Sequence, residues 1–183
     1  FNVLQHTITG WPGGKPNTDD TYRPERANPA KKRVILFSPH PDDDVISMGG
    51  TFSKLIKQGH DVHVVYQTSG NIAVTDDEAL KFAEVCNDFV GDDDSKINFL
   101  KIIDFINNKS ENQIDSAEVR KLKGLIRRRE SYAATRYIGL KDENTHFLDL
   151  PFYETGKKKK NPYGPKDVEI VRDIIAKIKP HQI

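Results

Sequence analysis

The stretch RVILFSPHPDDDVISMGGTFSKLIKQGHDVHVVYQTSG, residues 33–70, decides the fold. It opens on a continuous apolar run, Val34 to Phe37, the pattern of a strand buried on both faces. A polar turn follows, from Ser38 to Asp44. Beyond it Val45, Met48, Phe52, Leu55 and Ile56 recur at helical spacing, and Gly59 stops the helix. DVHVVYQT, residues 61–68, is the next strand. A strand, a helix and a second strand in this order imply a right-handed crossover and a parallel pair.

The alternation continues downstream. TDDEALKFAEVCNDFV is a helix with Thr75 or Asp76 at its N-cap. Another helix is expected around Phe99 to Ile106. From Ser116 a long helix carries one stripe, Val119, Leu122, Ile126, Ala133, Tyr137 and Leu140, with Gly139 near its end. THFLDLP is a third strand. Pro165 and Asp167 open a last helix with the stripe Val171, Ile174, Ile175 and Ile178, and His181 to Ile183 begin a fourth strand. The expected class is α/β, with a mostly parallel sheet covered by helices in three layers and truncated at its C-terminus. Residues 1–32 are rich in Gly, Pro, Asn, Asp and Lys and read as a linker or arm, with Trp11 and Tyr22 free to dock. Residues 33–183 form the domain.

Composition narrows the function. The chain has 183 residues, 36% hydrophobic and 30% charged, with a formal net charge of +1. That balance gives no reason to expect nucleic acid or a membrane as partner. No apolar stretch approaches the ~20 residues of a membrane span. The single cysteine, Cys86, rules out an internal disulfide, fits a reducing, cytoplasmic setting and reads as a small core residue. The run Lys157 to Lys160 reads as a solvated loop.

In α/β sheets ligands bind beyond the carboxyl ends of the strands. Ser38, Pro39, His40, Pro41, Asp42, Asp43 and Asp44 stand there on the first strand. Three consecutive carboxylates raise one another's pKa unless a cation is near. Histidine nitrogen with carboxylate oxygen suits zinc, and an unbound Asp beside the ion can act as a base. An acidic helix start, favoured by the helix dipole, needs no metal and stands equally on these residues alone. Ser69 and Asn71 end the second strand on the same edge, as contacts for a sugar or as turn formers. His60, His63 and His146 begin strands and point to surface or core roles.

Residues 37–70 resemble the opening of the LmbE/PIG-L family of N-deacetylases, through Pro39-His40-Pro41-Asp42-Asp43 and the helical pair Gly49-Gly50. IRRRESYAATRYIGL is similar to that family's Arg-x-x-Glu helix. The resemblance implies a Rossmann-like fold and a zinc-dependent hydrolase that removes acetyl groups from N-acetylglucosamine-type substrates. It makes His40 and Asp43 zinc ligands, Asp42 the general base and Arg127, with Glu130 three residues on, a substrate contact. Asp44 receives no catalytic role. The family's third zinc ligand, a His, and its oxyanion-stabilising His are expected beyond residue 183, and His181 lies too early to replace them. Asn71 follows Gly70 where the family has an acidic residue, and FLDLPFYETGKKKKNP departs from the family's shorter loop. The arm followed by this domain also resembles the carboxyl-terminal part of two-domain glucosamine-6-phosphate deaminase-like proteins. A fused N-terminal domain is therefore expected, and these residues alone are expected to be inactive. A non-catalytic or regulatory domain of a sugar-phosphate deaminase or isomerase is the alternative, and a homo-oligomer stays open.

Overall fold

The computed structural model describes residues 30–90, 93–156 and 159–183, and the side chains of all of these except 93–96. The arm, apart from its last three residues, and Lys157 and Lys158 lie outside them. The elements run β1 (Arg33–Ser38), α1 (Asp43–Lys57), β2 (Asp61–Tyr66), α2 (Asp76–Phe89), α3 (Asp93–Asn107), α4 (Ala117–Tyr137), β3 (Thr145–Phe147) and α5 (Pro165–Ile178). Single 3-10 turns at Asn71–Ala73 and Asp142–Asn144 precede α2 and β3. The three strands form a parallel sheet in the order β1-β2-β3. Gln182 adds an isolated parallel bridge to Val34 on the free edge of β1, where the fourth strand was expected.

Successive residues of β1 face opposite ways, and each face is covered. Val34 and Leu36 meet Val62, Val64, Tyr66, Phe52, Leu55 and Leu140 on the α1 side. Ile35 and Phe37 meet Val65, Ile174, Ile175 and Ile178 on the α5 side. These two cores with the sheet between them make the three layers. Gly59, at φ +73°, ends α1 as expected. Thr75 caps α2, its hydroxyl accepting from Glu78 N at 3.1 Å. Ser116 does the same for α4, accepting from Val119 N at 3.2 Å.

Two expected stripes differ. In α1 only Phe52 and Leu55 of the expected set are fully buried; Val45 and Met48 are 42% and 41% exposed. Val45 and Met48 lie in the first two turns of α1, at the carboxyl edge of the sheet, where of residues 43–50 only Asp44 is buried. In α4, Ala133 is exposed and Tyr137 is 92% exposed. That helix buries two faces instead of one. Val119 and Ile126 pack on α2 and α3. Gly124, Ser131 and Thr135 are also buried, and at about 100° per residue they lie roughly 120–160° around the helix from Val119. This second face is small and polar because it meets the edge of the sheet that carries the polar turns.

Two histidines sit on the α5 side of the sheet. His63 Nδ1 and His146 Nε2 are 3.0 Å apart, and His63 Nε2 lies 3.3 Å from Asp61 Oδ1. The ring centres are 5.3 Å apart, which is the N···N distance plus one ring radius on each side, so the rings meet end to end. His60 Nδ1 accepts from Lys32 N at 3.1 Å, and His181 Nδ1 from Arg33 N at 2.9 Å.

A four-charge cluster ties the helical layer together. Lys123 Nζ contacts Asp76 Oδ1 at 2.5 Å and Asp115 Oδ2 at 2.8 Å, and Lys109 Nζ contacts Asp76 Oδ2 at 2.8 Å and Asp115 Oδ1 at 2.5 Å. Burial alone would raise the Asp76 carboxyl, but its hydrogen bonds to Lys109 and Lys123 outweigh that and hold it below the usual value. A depressed carboxylate stabilises the fold above its unfolded pKa of ~3.9 and stops doing so as the pH falls through the folded value. The Lys123 side chain is 5% exposed, so Lys123→Met leaves charge unpaired. Urea unfolding should show a loss of about 3 kcal/mol at pH 7, shrinking as the pH drops below ~4.

Candidate functional site

The turn from Ser38 to Asp44 leaves β1 at the carboxyl edge of the sheet and closes on itself, with Asp42 N donating to the His40 carbonyl at 2.8 Å. The three carboxylates then diverge. Asp42 occupies the N-cap position of α1 yet makes no side-chain capping bond. Its Oδ2 instead accepts from Arg127 Nη2 at 2.8 Å. Asp43 Oδ2 accepts from His40 N at 3.0 Å and lies 3.0 Å from His40 Nδ1. Asp44 turns inward, 4% exposed, where Tyr66 O–H donates to its Oδ2 at 2.9 Å. Burial pushes the Asp44 carboxyl up against the hydrogen bonds that oppose it. Of the three, only Asp44 turns its carboxylate back on the helix start, where the backbone N–H groups of Asp44 and Val45 help to hold it; Asp42 and Asp43 pair elsewhere.

Arg127 on α4 joins this turn to the long helix. Its Nη2 also donates to the Pro41 carbonyl at 2.8 Å, and its Nη1 pairs with Glu130. The side chain is 16% exposed, and its buried Nε has no hydrogen-bond partner among the described residues. A cavity of about 210 Å³ opens here, lined by Pro41, Asp42, Asp44, Tyr66, Arg127 and Glu130 among others. The structure thus brings His40, Asp42, Asp43 and Arg127 to one edge of the sheet.

Ser69 and Asn71 reach the same edge but are 6% and 3% exposed. Both spend donors on Glu154: Ser69 N and Oγ donate to Oε1 and Oε2 at 2.9 Å each, and Asn71 Nδ2 to Oε2 at 3.0 Å. Glu154 was not foreseen. Its only signal in the sequence is an acid following the third strand, at the edge where ligands bind. Its neighbour Tyr153 sets its ring edge against His40, with centroids 5.8 Å apart. Lys160 lies 3.7 Å over the Tyr153 ring and donates to the Tyr153 carbonyl at 3.0 Å, so this half-buried lysine is tied to its loop. Burial lowers the Lys160 ammonium pKa, with Glu154 opposing.

The donors present fit zinc in kind. Two ligands of a tetrahedral zinc at ~2.1 Å are roughly 3.4 Å apart, a few tenths of an ångström more than the 3.0 Å between His40 Nδ1 and Asp43 Oδ2. They fall short in number. Among the described residues no three His, Cys, Asp or Glu side chains converge as a metal group. His146 engages His63, and His181 engages the backbone at the start of β1; neither joins His40.

A family model described as PIG-L: GlcNAc-PI de-N-acetylase matches residues 35–183. The whole chain aligns over 189 residues, at 56% identity, with a glucosamine-6-phosphate deaminase-like protein of Bacteroides thetaiotaomicron, of which it covers 28%. A stretch of 47 residues, 26% of the chain, is 45% identical to the diacetylchitobiose deacetylase of Thermococcus kodakarensis and covers 18% of it. The chain thus spans less than a third of the length of either relative. No solved structure matches. No described helix is long and apolar enough to cross a membrane.

Gly70 closes the site. It has φ +65°, and a Cβ there would stand 2.7 Å from Pro41 Cδ. Gly70→Ala should therefore displace the His40 turn and destabilise the fold by about 1–3 kcal/mol, measured by urea unfolding.

Proposed function

Because the chain belongs to the PIG-L family, described as GlcNAc-PI de-N-acetylase, we propose that it is a metal-dependent amide hydrolase that removes an acetyl group from an N-acetylglucosamine-type amino sugar. The observation that carries this is the meeting of His40, Asp43, Asp42 and Arg127 at the carboxyl edge of a parallel sheet. The acetyl-removing names of the family and of the Thermococcus relative support the reaction class.

Each residue takes a role from its position. His40 and Asp43 would hold zinc, and a further protein ligand would have to join them. When bound, zinc supplies Lewis acidity toward the amide carbonyl and water. Asp42 is the general base: its Oδ2 is on Arg127, and its Oδ1 has no hydrogen bond among the described residues. Asp42 takes the proton of the attacking water and returns it to the leaving amine nitrogen. Arg127 holds Asp42 in place and offers its guanidinium to a substrate oxygen. Ser69 and Asn71 act on the sugar through Glu154, whose carboxylate keeps acceptor capacity for a hydroxyl beyond its three donors. The long Bacteroides relative supports a fused deaminase-like domain and an amino-sugar context. A non-catalytic domain of such a protein is the second reading, favoured by the absence, among the described residues, of a third donor beside His40 and Asp43.

Elemental analysis of full-length protein purified without chelator should find zinc, and an N-acetylglucosamine substrate should be deacetylated. His40→Ala should abolish zinc binding, whereas Asp42→Asn should keep zinc and lower kcat by about 10²–10⁴-fold. Arg127→Ala should raise KM far more than Arg128→Ala. Protein free of zinc and not activated by adding it would leave the non-catalytic reading.

A further inference from the structure

Beneath the turn that presents His40, Asp42 and Asp43 lies a buried polar network with no part in the chemistry above. Asp44 is 4% exposed, Ser131 3%, and Ser38 and Tyr66 are fully buried. Tyr66 O–H donates to Asp44 Oδ2 at 2.9 Å. Asp44 N–H donates to Ser38 Oγ at 3.0 Å, and Ser38 O–H donates to the His40 carbonyl at 2.6 Å. Ser131 O–H donates to the Arg127 carbonyl at 3.1 Å, and the Ser131 side chain also contacts the Tyr66 phenol. Residues from β1, α1, β2 and α4 meet in this one network.

Its direction matters more than its strength. Asp43 and Asp44 open α1, and successive helical side chains are turned by about 100°. Fixing the Asp44 carboxylate under Tyr66 therefore sets where the Asp43 carboxylate points. The second branch, through Ser38, sets the His40 carbonyl and with it the start of the turn. An apolar pair would fill the same space without burying a carboxylate, and replacing buried polar pairs by apolar ones is often neutral for stability. Polar partners at this place hold one rotation of the first turn and exclude others.

We propose that Asp44 and Tyr66 are a positioning pair: their hydrogen bond fixes the first turn of α1 and, through Ser38, the His40 carbonyl, so that His40 Nδ1 and Asp43 Oδ2 are aligned before any ligand arrives. The proposal rests on the zinc role given to His40 and Asp43. Supporting groups one bond removed from a ligand commonly change metal affinity by ~10–100-fold.

The test uses full-length protein with Tyr66→Phe, Asp44→Ala and Asp44→Asn. Zinc affinity is measured by competition with a chromophoric chelator. Amide hydrogen exchange at Asp42 and Asp43 is followed in zinc-free protein, and thermal unfolding is recorded for each. Tyr66→Phe and Asp44→Ala should weaken zinc binding by ~10–100-fold and speed exchange at those two amides. Asp44→Asn keeps an acceptor for the Tyr66 hydroxyl and should recover most of both. Should Asp44→Ala not fold, Tyr66→Phe and Asp44→Asn decide. A lowered Tm with wild-type zinc affinity and wild-type exchange in the turn would reduce the pair to a stabilising tie and overturn the proposal. If the wild type binds no zinc, the hydrolase reading falls, and the exchange arm still decides: acceleration confined to the turn supports positioning, and unchanged or uniformly faster exchange overturns it.

Discussion

Asp42, Asp43 and Asp44 follow one another without a spacer, and three negative charges so close cannot share one small volume. The start of α1 separates them by rotation. One carboxylate goes to the Arg127 guanidinium, one to His40, and one into the interior under Tyr66. Each destination lies on a different element: α4, the turn itself, and β2. The parallel pairing of β1 and β2 brings Tyr66 level with Ser38. The approach of α4 brings Arg127 over Pro41. Moving any of these elements would return the charges to one another.

The residues after β2 obey a steric version of the same constraint. Gly70 sits where a side chain would strike Pro41, and Gly124 brings α4 close to Ser69, whose Cβ would lie 3.4 Å from an added Cβ. Two close approaches at adjacent residues let the β2 turn fit between the His40 turn and α4. Glu154 then locks the packed turns by taking donors from Ser69 and Asn71.

Much of this was legible in the sequence, and what was not has physical reasons. β1, α1 and β2 were readable because apolar runs and turns alternate sharply there, and the shared edge of His40, Asp42, Asp43 and Arg127 followed from strand polarity and family resemblance. The helix expected around Phe99 starts at Asp93, six residues earlier, because a charged first turn carries no apolar period. The second buried face of α4 stayed hidden because it is made of Gly124, Ser131 and Thr135, which no hydrophobic count can find. Glu154 stayed hidden because its partners are 85 and 83 residues away in the chain. Tertiary contacts of that span leave no local trace.

The end-to-end histidines on the α5 side of the sheet also couple where hydrogens sit. Asp61 can only accept, so a proton on His63 is favoured at the Nε2 that lies 3.3 Å from it. In a neutral ring the other nitrogen is then bare, so His63 Nδ1 accepts, and the hydrogen between the rings belongs to His146 Nε2. Burial first, then His63 and Lys177, hold the His146 pKa below the usual histidine value, which favours this neutral arrangement. The two tautomers are thereby interlocked. A proton arriving on His146 Nδ1 leaves the link intact. One arriving on His63 Nδ1 reverses it, and His146 must hand its own hydrogen from one side of its ring to the other.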